Sequence, residues 1–157
     1  MASLTPGMVL TLASLANFLE AILNFPKPLL AAVSGNAVGI GTTMLLHCDV
    51  VVASPTTRFS MPFVNLGLVP EAGSSLLFPR LVGHQRASKV FLAGDAFDST
   101  YALEVGLIAE IDEDPLAKVR SIAERIAAQP PNAVIQTKAL LKAELHDKTA
   151  AVMRAEG

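Results

Sequence analysis

Two short stretches of this chain hold groups that could do chemistry: Pro70-Glu71-Ala72-Gly73-Ser74-Ser75 and, about thirty residues earlier, Gly39-Ile40-Gly41. From Phe59 to Pro79, Glu71 is the only side chain able to carry a full charge near neutral pH. A carboxylate among apolar neighbours, with no cation close in sequence, has its pKa raised, because desolvation penalises the ion. A glutamate tuned in this way can take up and return a proton near neutral pH. The same residues also fit a surface glutamate in a first helical turn, favoured by the helix dipole. The glycine turn leaves backbone N–H groups free at a helix start, where a developing negative oxygen can be held. Glycine also allows a ligand to approach the backbone closely. A tight strand-to-helix crossover with no ligand fits that turn equally well. Taken together, the two stretches suit proton abstraction next to a carbonyl, with the enolate oxygen held by amides.

Other chemistries lack their residues. A dinucleotide fingerprint G-x-G-x-x-G would need glycine at position 44, which is Met44, and the phosphate-loop Gly-Lys-Ser/Thr is absent. No G-x-S-x-G occurs, and no histidine is placed to serve Ser74 or Ser75 as a nucleophile. The single cysteine, Cys48, excludes an intrachain disulfide and a cysteine-rich metal site, and its apolar setting predicts a small buried residue. His47, His84 and His146 are scattered, so the sequence gives metal ligation no support.

The elements that must position Glu71 follow from patterning. With 157 residues, 52% of them hydrophobic, the chain is long enough for one domain with a true core. Only 17% are charged, against about a quarter in typical domains, which points to an oligomer or to a further partner segment. A net charge of −2 of mixed sign gives no nucleic-acid face. Residues 1–57 hold only Glu20, Lys27 and Asp49, predicting an interior first half, while the charged stretch 112–157 predicts solvated helix faces. Residues 2–19 lack the basic start of a signal peptide, and the uncharged run 28–48 is broken by Ser34-Gly35-Asn36 and Gly39, so no membrane span is expected.

Leu10–Phe25 reads as a helix with Leu12, Leu15, Ala16, Leu19, Ile22 and Leu23 along one stripe, stopped by Pro26-Lys27-Pro28. Leu29–Val33 and Asp49–Ala53 are continuous apolar runs typical of strands buried on both faces. A turn at Ser34-Gly35-Asn36 and a helix through His47 lie between them, which predicts a parallel βαβ unit. Arg58–Met61 suits a short strand, and helices are expected at Gly73–Leu81, His84–Ala93 and, capped by Asp98 or Ser99, through Glu104. Leu107–Ile111 is extended. Pro115–Ala128 is amphipathic through Leu116, Val119, Ile122, Ala123 and Ile126. A helix then runs from Pro131 to about Leu145 with Val134, Leu141 and Leu145 inward, and another begins near Asp147.

Three segments together resemble the crotonase (enoyl-CoA hydratase/isomerase) superfamily: KPLLAAVSGNAVGIGTTMLLHCDVVVA, FSMPFVNLGLVPEAGSSLLFPRLVG and LAGDAFDSTYALEVGLI. The likeness is strong over residues 26–112 and weaker over the C-terminal helical region 113–157. It implies a single α/β domain, a crotonase-like ββα spiral in its central and later part, followed by C-terminal helices. Relative to the family the chain is expected to be truncated at both ends. The first oxyanion N–H of the family lies in the missing N-terminal part, and one lost donor of this kind costs about 10²- to 10³-fold in rate.

The family's hydratases use two glutamates, and the matching positions here are Thr43 and Phe63, so hydration is disfavoured. Pro70-Glu71-Ala72-Gly73-Ser74-Ser75 resembles the Δ3,Δ2-enoyl-CoA isomerase pattern, which implies Glu71 as the base. The resemblance further implies the Ile40 N–H as an oxyanion donor, Gly39 and Gly41 beside it, and an acyl pocket with Phe63, Val64, Leu66 and Leu68. The expected partner is an acyl-CoA thioester, with coenzyme A part of the substrate and no separate cofactor. A homotrimer or dimer of trimers is expected, in the cytoplasm of a bacterium or the peroxisome or mitochondrion of a eukaryote. Two other readings stay open: hydration or another acyl-CoA reaction using Glu71 alone, and an inactive module that binds acyl-CoA or assembles with partners.

Overall fold

The computed structural model describes the backbone of residues 6–156 and the side chains from Ser14 to Glu156. Among the described residues, seven helices and six short strands follow one another in the order α1 (Pro6–Leu23), β1 (Leu30–Val33), β2 (Asn36–Val38), α2 (Ile40–Thr43), β3 (Val50–Ala53), β4 (Arg58–Ser60), α3 (Ser74–Val82), α4 (His84–Ala93), β5 (Phe97–Asp98), α5 (Ser99–Glu104), β6 (Glu110–Ile111), α6 (Pro115–Ala127) and α7 (Pro131–Glu156). Single 3₁₀ turns lie at Met44–His47 and Val64–Leu66.

The strands make two sheets. In the first, β3 is central and parallel to both neighbours, with Leu30 opposite Val50, Val33 opposite Ala53, and Ala53 also opposite Ile111. Central placement explains the unbroken Val50-Val51-Val52-Ala53 run, since both faces of this strand are covered and Val52 and Ala53 have no exposed surface. The expected parallel βαβ unit is therefore present. The second sheet has β4 between β2, parallel, and β5, antiparallel. Phe59 of β4 stacks on Phe97 of β5 at 5.5 Å between ring centroids, and Phe78 of α3 stacks on Phe97 at 6.3 Å. This aromatic pile ties α3, and so the loop before it, to the second sheet.

Several elements differ from their sequence reading. Asn36 is not part of a turn but begins β2, because pairing with Arg58–Ser60 recruits three residues too few to show a strand pattern of their own. The helix expected through His47 is one turn of α2 followed by a 3₁₀ turn. The two expected C-terminal helices are one, α7, which passes through Asp147 without a break. Its buried face is set by Lys138 and Thr149, which are 7% and 2% exposed, so Leu141 points to solvent at 81%. Val134 and Leu145 are half-buried as expected. On α6, Val119 is buried but Leu116 is 52% exposed. The first half is also less interior than its lack of charge implied. On α1, Leu19 is buried and Leu15, Ile22 and Leu23 are half-buried, while Ala16 and Phe18 face outward; the side chain of Leu12 lies outside the described residues. Cys48 is half-buried rather than enclosed. Among the described residues no helix is long and apolar enough to cross a membrane.

Candidate active site

Gly39 closes the turn between β2 and α2 at φ 55° and ψ −119°, a backbone conformation that favours a residue without a Cβ. Its N–H donates to the Ser60 carbonyl at 2.9 Å, and its own carbonyl accepts from the N–H groups of Thr42 and Thr43 at 2.9 and 3.0 Å. The Thr42 hydroxyl, fully buried, donates to the Ala37 carbonyl at 2.7 Å and fastens α2 to β2. The N–H groups of Ile40 and Gly41, at the start of the helix, have no acceptor among the described residues, as expected where a helix has no preceding turn. Gly41 has ordinary helical geometry, and a Cβ there would meet only Ala37 Cβ, at 4.0 Å.

One turn further along, the Thr43 hydroxyl donates to Glu71 Oε1 at 2.5 Å. The second carboxyl oxygen, Oε2, is buried with no partner among the described residues. The Glu71 pKa is therefore pushed up, first by burial, with the Thr43 hydroxyl pulling it back and the nearby Glu156 charge adding to the rise. Glu71 is thus a half-buried carboxyl at the helix start that presents the free amides, not a surface residue of a first turn.

The backbone behind Glu71 is held against its preference. Ala72 has φ 62°, the one non-glycine residue with positive φ among those described, at a cost of about 1–2 kcal/mol. Two contacts fix it. His47, 2% exposed, donates from Nε2 to the Ala72 carbonyl at 2.7 Å; a carbonyl only accepts, so Nε2 carries the hydrogen. Burial pushes the His47 pKa down, against the Ala72 hydrogen bond that raises it, and the imidazole is neutral at pH 7. From the other side Glu156, at the end of α7, accepts the N–H of Gly73 at 2.6 Å, the N–H of Ser75 at 3.0 Å and the Ser75 hydroxyl at 2.5 Å. Glu156 thereby caps α3 from outside its own chain segment.

The remaining expected site residues divide. Gly39 and Gly41 flank the Ile40 amide. Phe63 is 6% exposed and belongs to the core cluster with Met61 and Phe78. Val64, Leu66 and Leu68 are 42%, 69% and 57% exposed on the 3₁₀ turn and the irregular loop leading to Glu71. Sequence reasoning named Thr43 only as a position lacking an acid, and passed over His47 and Glu156. Thr43 and His47 were findable, being three and seven residues past Ile40 on consecutive turns. Glu156 was not, since nothing in the sequence links it to a loop some eighty residues earlier. Among the described residues no cluster of His, Cys, Asp and Glu suits a metal ion.

A family model described as "Enoyl-CoA hydratase/isomerase" matches residues 10–157. Among curated relatives, enoyl-CoA delta isomerase 2 of Rattus norvegicus is 35% identical over 144 residues, 90% of this chain and 37% of the relative. The 2,3-dehydroadipyl-CoA hydratase of Escherichia coli is 37% identical over 120 residues, 75% of this chain and 47% of the relative. The crystal structure of an enoyl-CoA hydratase/isomerase from Pseudoalteromonas atlantica superposes with a TM-score of 0.87 at 42% identity, covering 100% of this chain and 61% of that one. The chain thus spans less than half the length of these curated relatives. Its α/β architecture is the crotonase-like one that the three sequence segments resemble, and by model, sequence and structure the chain belongs to the enoyl-CoA hydratase/isomerase family.

Proposed function

We propose that this protein is a Δ3,Δ2-enoyl-CoA isomerase with Glu71 as its proton-transferring base. The observation that carries this reading is the Glu71 carboxyl itself: Oε1 is held by Thr43, one turn from the free amides at Ile40, and Oε2 is left without a partner. In the proposed reaction Glu71 takes a proton from C2 of a 3-enoyl-CoA. The electrons of that C–H bond spread over the dienolate, whose thioester oxygen accepts the Ile40 N–H and, beside it, that of Gly41. Glu71 then returns the proton to C4, the double bond comes to rest between C2 and C3, and no electrons or water are exchanged. Coenzyme A enters only as part of the substrate. A raised carboxyl pKa suits this task, since the base must take a proton from a weak carbon acid and give it back. Val64, Leu66 and Leu68 offer apolar surface beside the acyl chain, with Phe63 as the packing beneath them.

Hydration is the weaker reading, because it needs groups that hold and activate water and the two other acid positions are Thr43 and the core residue Phe63. Incubation of the full-length protein with a 3-enoyl-CoA and separation of products decides. The isomerase reading expects the 2-trans-enoyl-CoA and near-complete loss in Glu71→Gln, whereas formation of 3-hydroxyacyl-CoA replaces it with a hydratase. Thioester binding without turnover in either protein replaces it with a binding module. Assembly as a homotrimer or dimer of trimers belongs to the same proposal and is read from the mass in solution.

A further inference from the structure

Glu156 lies 85 residues beyond Glu71, yet its carboxylate holds the first turn after the reactive loop through three hydrogen bonds. Two of these use backbone amides at positions 73 and 75, so they fix the path of the chain rather than the pose of one side chain. The contact is close along the whole end of α7. A Cβ on Gly73 would stand 2.7 Å from Thr149 Cγ2 and 3.3 Å from Met153 Cγ, so helix and loop touch backbone to side chain with no space between. Thr149 is itself 2% exposed. With His47 on the Ala72 carbonyl, the three residues Glu71-Ala72-Gly73 are gripped at both ends.

We propose that Glu156 is a positioning residue for Glu71: by bonding Gly73 and Ser75 it locks the strained turn that presents the Glu71 carboxyl to Thr43 and leaves Oε2 free. The inference rests on the reading of Glu71 as the base. It gives the end of α7 a part in the chemistry without contact with the substrate. A carboxylate behind another carboxylate also favours the protonated form of the second, so losing the Glu156 charge moves the Glu71 titration down. The charged and titratable groups around this turn are Glu156 facing Glu71, and His47 facing Glu156 and Lys142; Thr43 is neutral.

The test uses the full-length protein with its glutamates labelled at the carboxyl carbon, the Glu71 resonance being assigned by its loss in Glu71→Gln. Glu156→Gln keeps the shape and removes the charge and one acceptor oxygen; Ser75→Ala removes a single bond; Glu144→Gln, on an α7 side chain 76% exposed, is the control. In Glu156→Gln the Glu71 midpoint moves to lower pH, and kcat on the 3-enoyl-CoA falls between about tenfold and a hundredfold with KM little changed. Ser75→Ala gives a smaller loss and Glu144→Gln none. A folded Glu156→Gln with an unmoved Glu71 midpoint, or with undiminished kcat in an active enzyme, overturns the proposal. Should Glu156→Gln not fold, an undiminished kcat in Ser75→Ala does so. A wild type without isomerase turnover defeats the assigned reaction instead, and the positioning role is then decided by Ser75→Ala, which keeps the Glu156 charge: an unmoved Glu71 midpoint in that variant overturns it.

Discussion

Thr43 and Glu71, 28 residues apart, are joined side chain to side chain at 2.5 Å, and this bond gives the two carboxyl oxygens different surroundings. Oε1 accepts the Thr43 hydroxyl while Oε2 has no partner among the described residues, and on the proposed reading Oε2 is the oxygen that exchanges the proton. A hydroxyl that donates to the ionised carboxylate also holds its pKa down. Thr43→Val keeps the volume of this fully buried side chain and removes the donor. Burial then drives the Glu71 pKa higher, and the acidic limb of the kcat/KM profile moves to higher pH. At pH 7 the rate falls about tenfold, the worth of a hydrogen bond to a charged group. Thr43→Ser keeps the donor and stays near wild type. A wild-type pH profile in Thr43→Val would show that the hydroxyl neither orients nor tunes the base.

The same carboxyl makes the protein less stable than it could be. Its folded pKa lies above the ordinary 4.5, so the folded state holds the proton more tightly than the unfolded one. Stability therefore falls as pH rises from 4.5 through the folded value, and above that value the cost is fully present. Glu71→Gln carries no such cost and still offers an oxygen to Thr43. It is expected to melt above wild type at pH 7 to 8, with the difference vanishing below about pH 4. His47 acts in the opposite direction: its pKa is depressed from 6.5, so it takes stability away as pH falls. It is present in both proteins and drops out of the comparison. Equal melting temperatures at pH 8 would mean that Glu71 is hydrated like a surface acid.

The sequence made the parallel pair of β1 and β3 legible because each is a continuous apolar run, and burial on both faces needs no other mark. Helix α4 matched its expected limits at both ends, where glycine punctuates the chain, and Asp98 caps α5 by accepting the Tyr101 N–H at 2.9 Å. What depends on distant partners was not legible. Asn36–Val38 is a strand only because β4 lies beside it. On α7 the apolar spacing selected Leu141, but the inward face is built on Lys138 and Lys142, whose ammonium groups find carbonyls and a carboxylate under the helix. Glu71 was legible as a lone acid in an apolar stretch. Of its supports, His47 was within reach of the spacing along the turns after Ile40, whereas Glu156 was not, since nothing in the sequence links the end of α7 to backbone amides some eighty residues earlier.

Gly73 and Gly67 separate packing from backbone strain. Both have positive φ, 70° and 68°, but a Cβ on Gly67 meets nothing within 4 Å, whereas one on Gly73 strikes Thr149 and Met153 of α7. Gly67→Ala is expected to cost about 1 kcal/mol, the backbone penalty alone. Gly73→Ala adds the displacement of a packed helix, for a total of about 2–4 kcal/mol. Because the displaced helix ends in Glu156, Gly73→Ala should also lose activity under conditions where both variants are folded. Urea unfolding and turnover of the two proteins, measured together, check both halves; equal stability losses would mean that α7 does not press on this loop.

Docking of α7 depends on one acid. Asp49 accepts the Leu29 N–H at 2.6 Å and pairs with Lys138 at 2.8 Å and Lys142 at 3.5 Å. Lys138 also donates to the Lys27 carbonyl at 2.6 Å and lies over the Phe25 ring, and Lys142 donates to the His47 carbonyl at 2.5 Å. Removing the acid strands two ammonium groups under the helix, and Asp49→Ala is expected to cost about 3 kcal/mol. Asp49→Asn keeps an acceptor for Leu29 and costs less. Adding Lys138→Met to Asp49→Ala restores part of the loss, because the stranded charge goes with it. Burial already pushes the Lys142 pKa down, with Asp49 opposing, so without Asp49 this amine deprotonates more readily. A lysine with a depressed folded pKa weakens the folded state while it is charged and ceases to as pH rises towards its ordinary 10.5. The deficit of Asp49→Ala relative to wild type should therefore shrink between pH 7 and about pH 10. A deficit that is flat across that range would place the lost energy in the Leu29 hydrogen bond rather than in the buried amines.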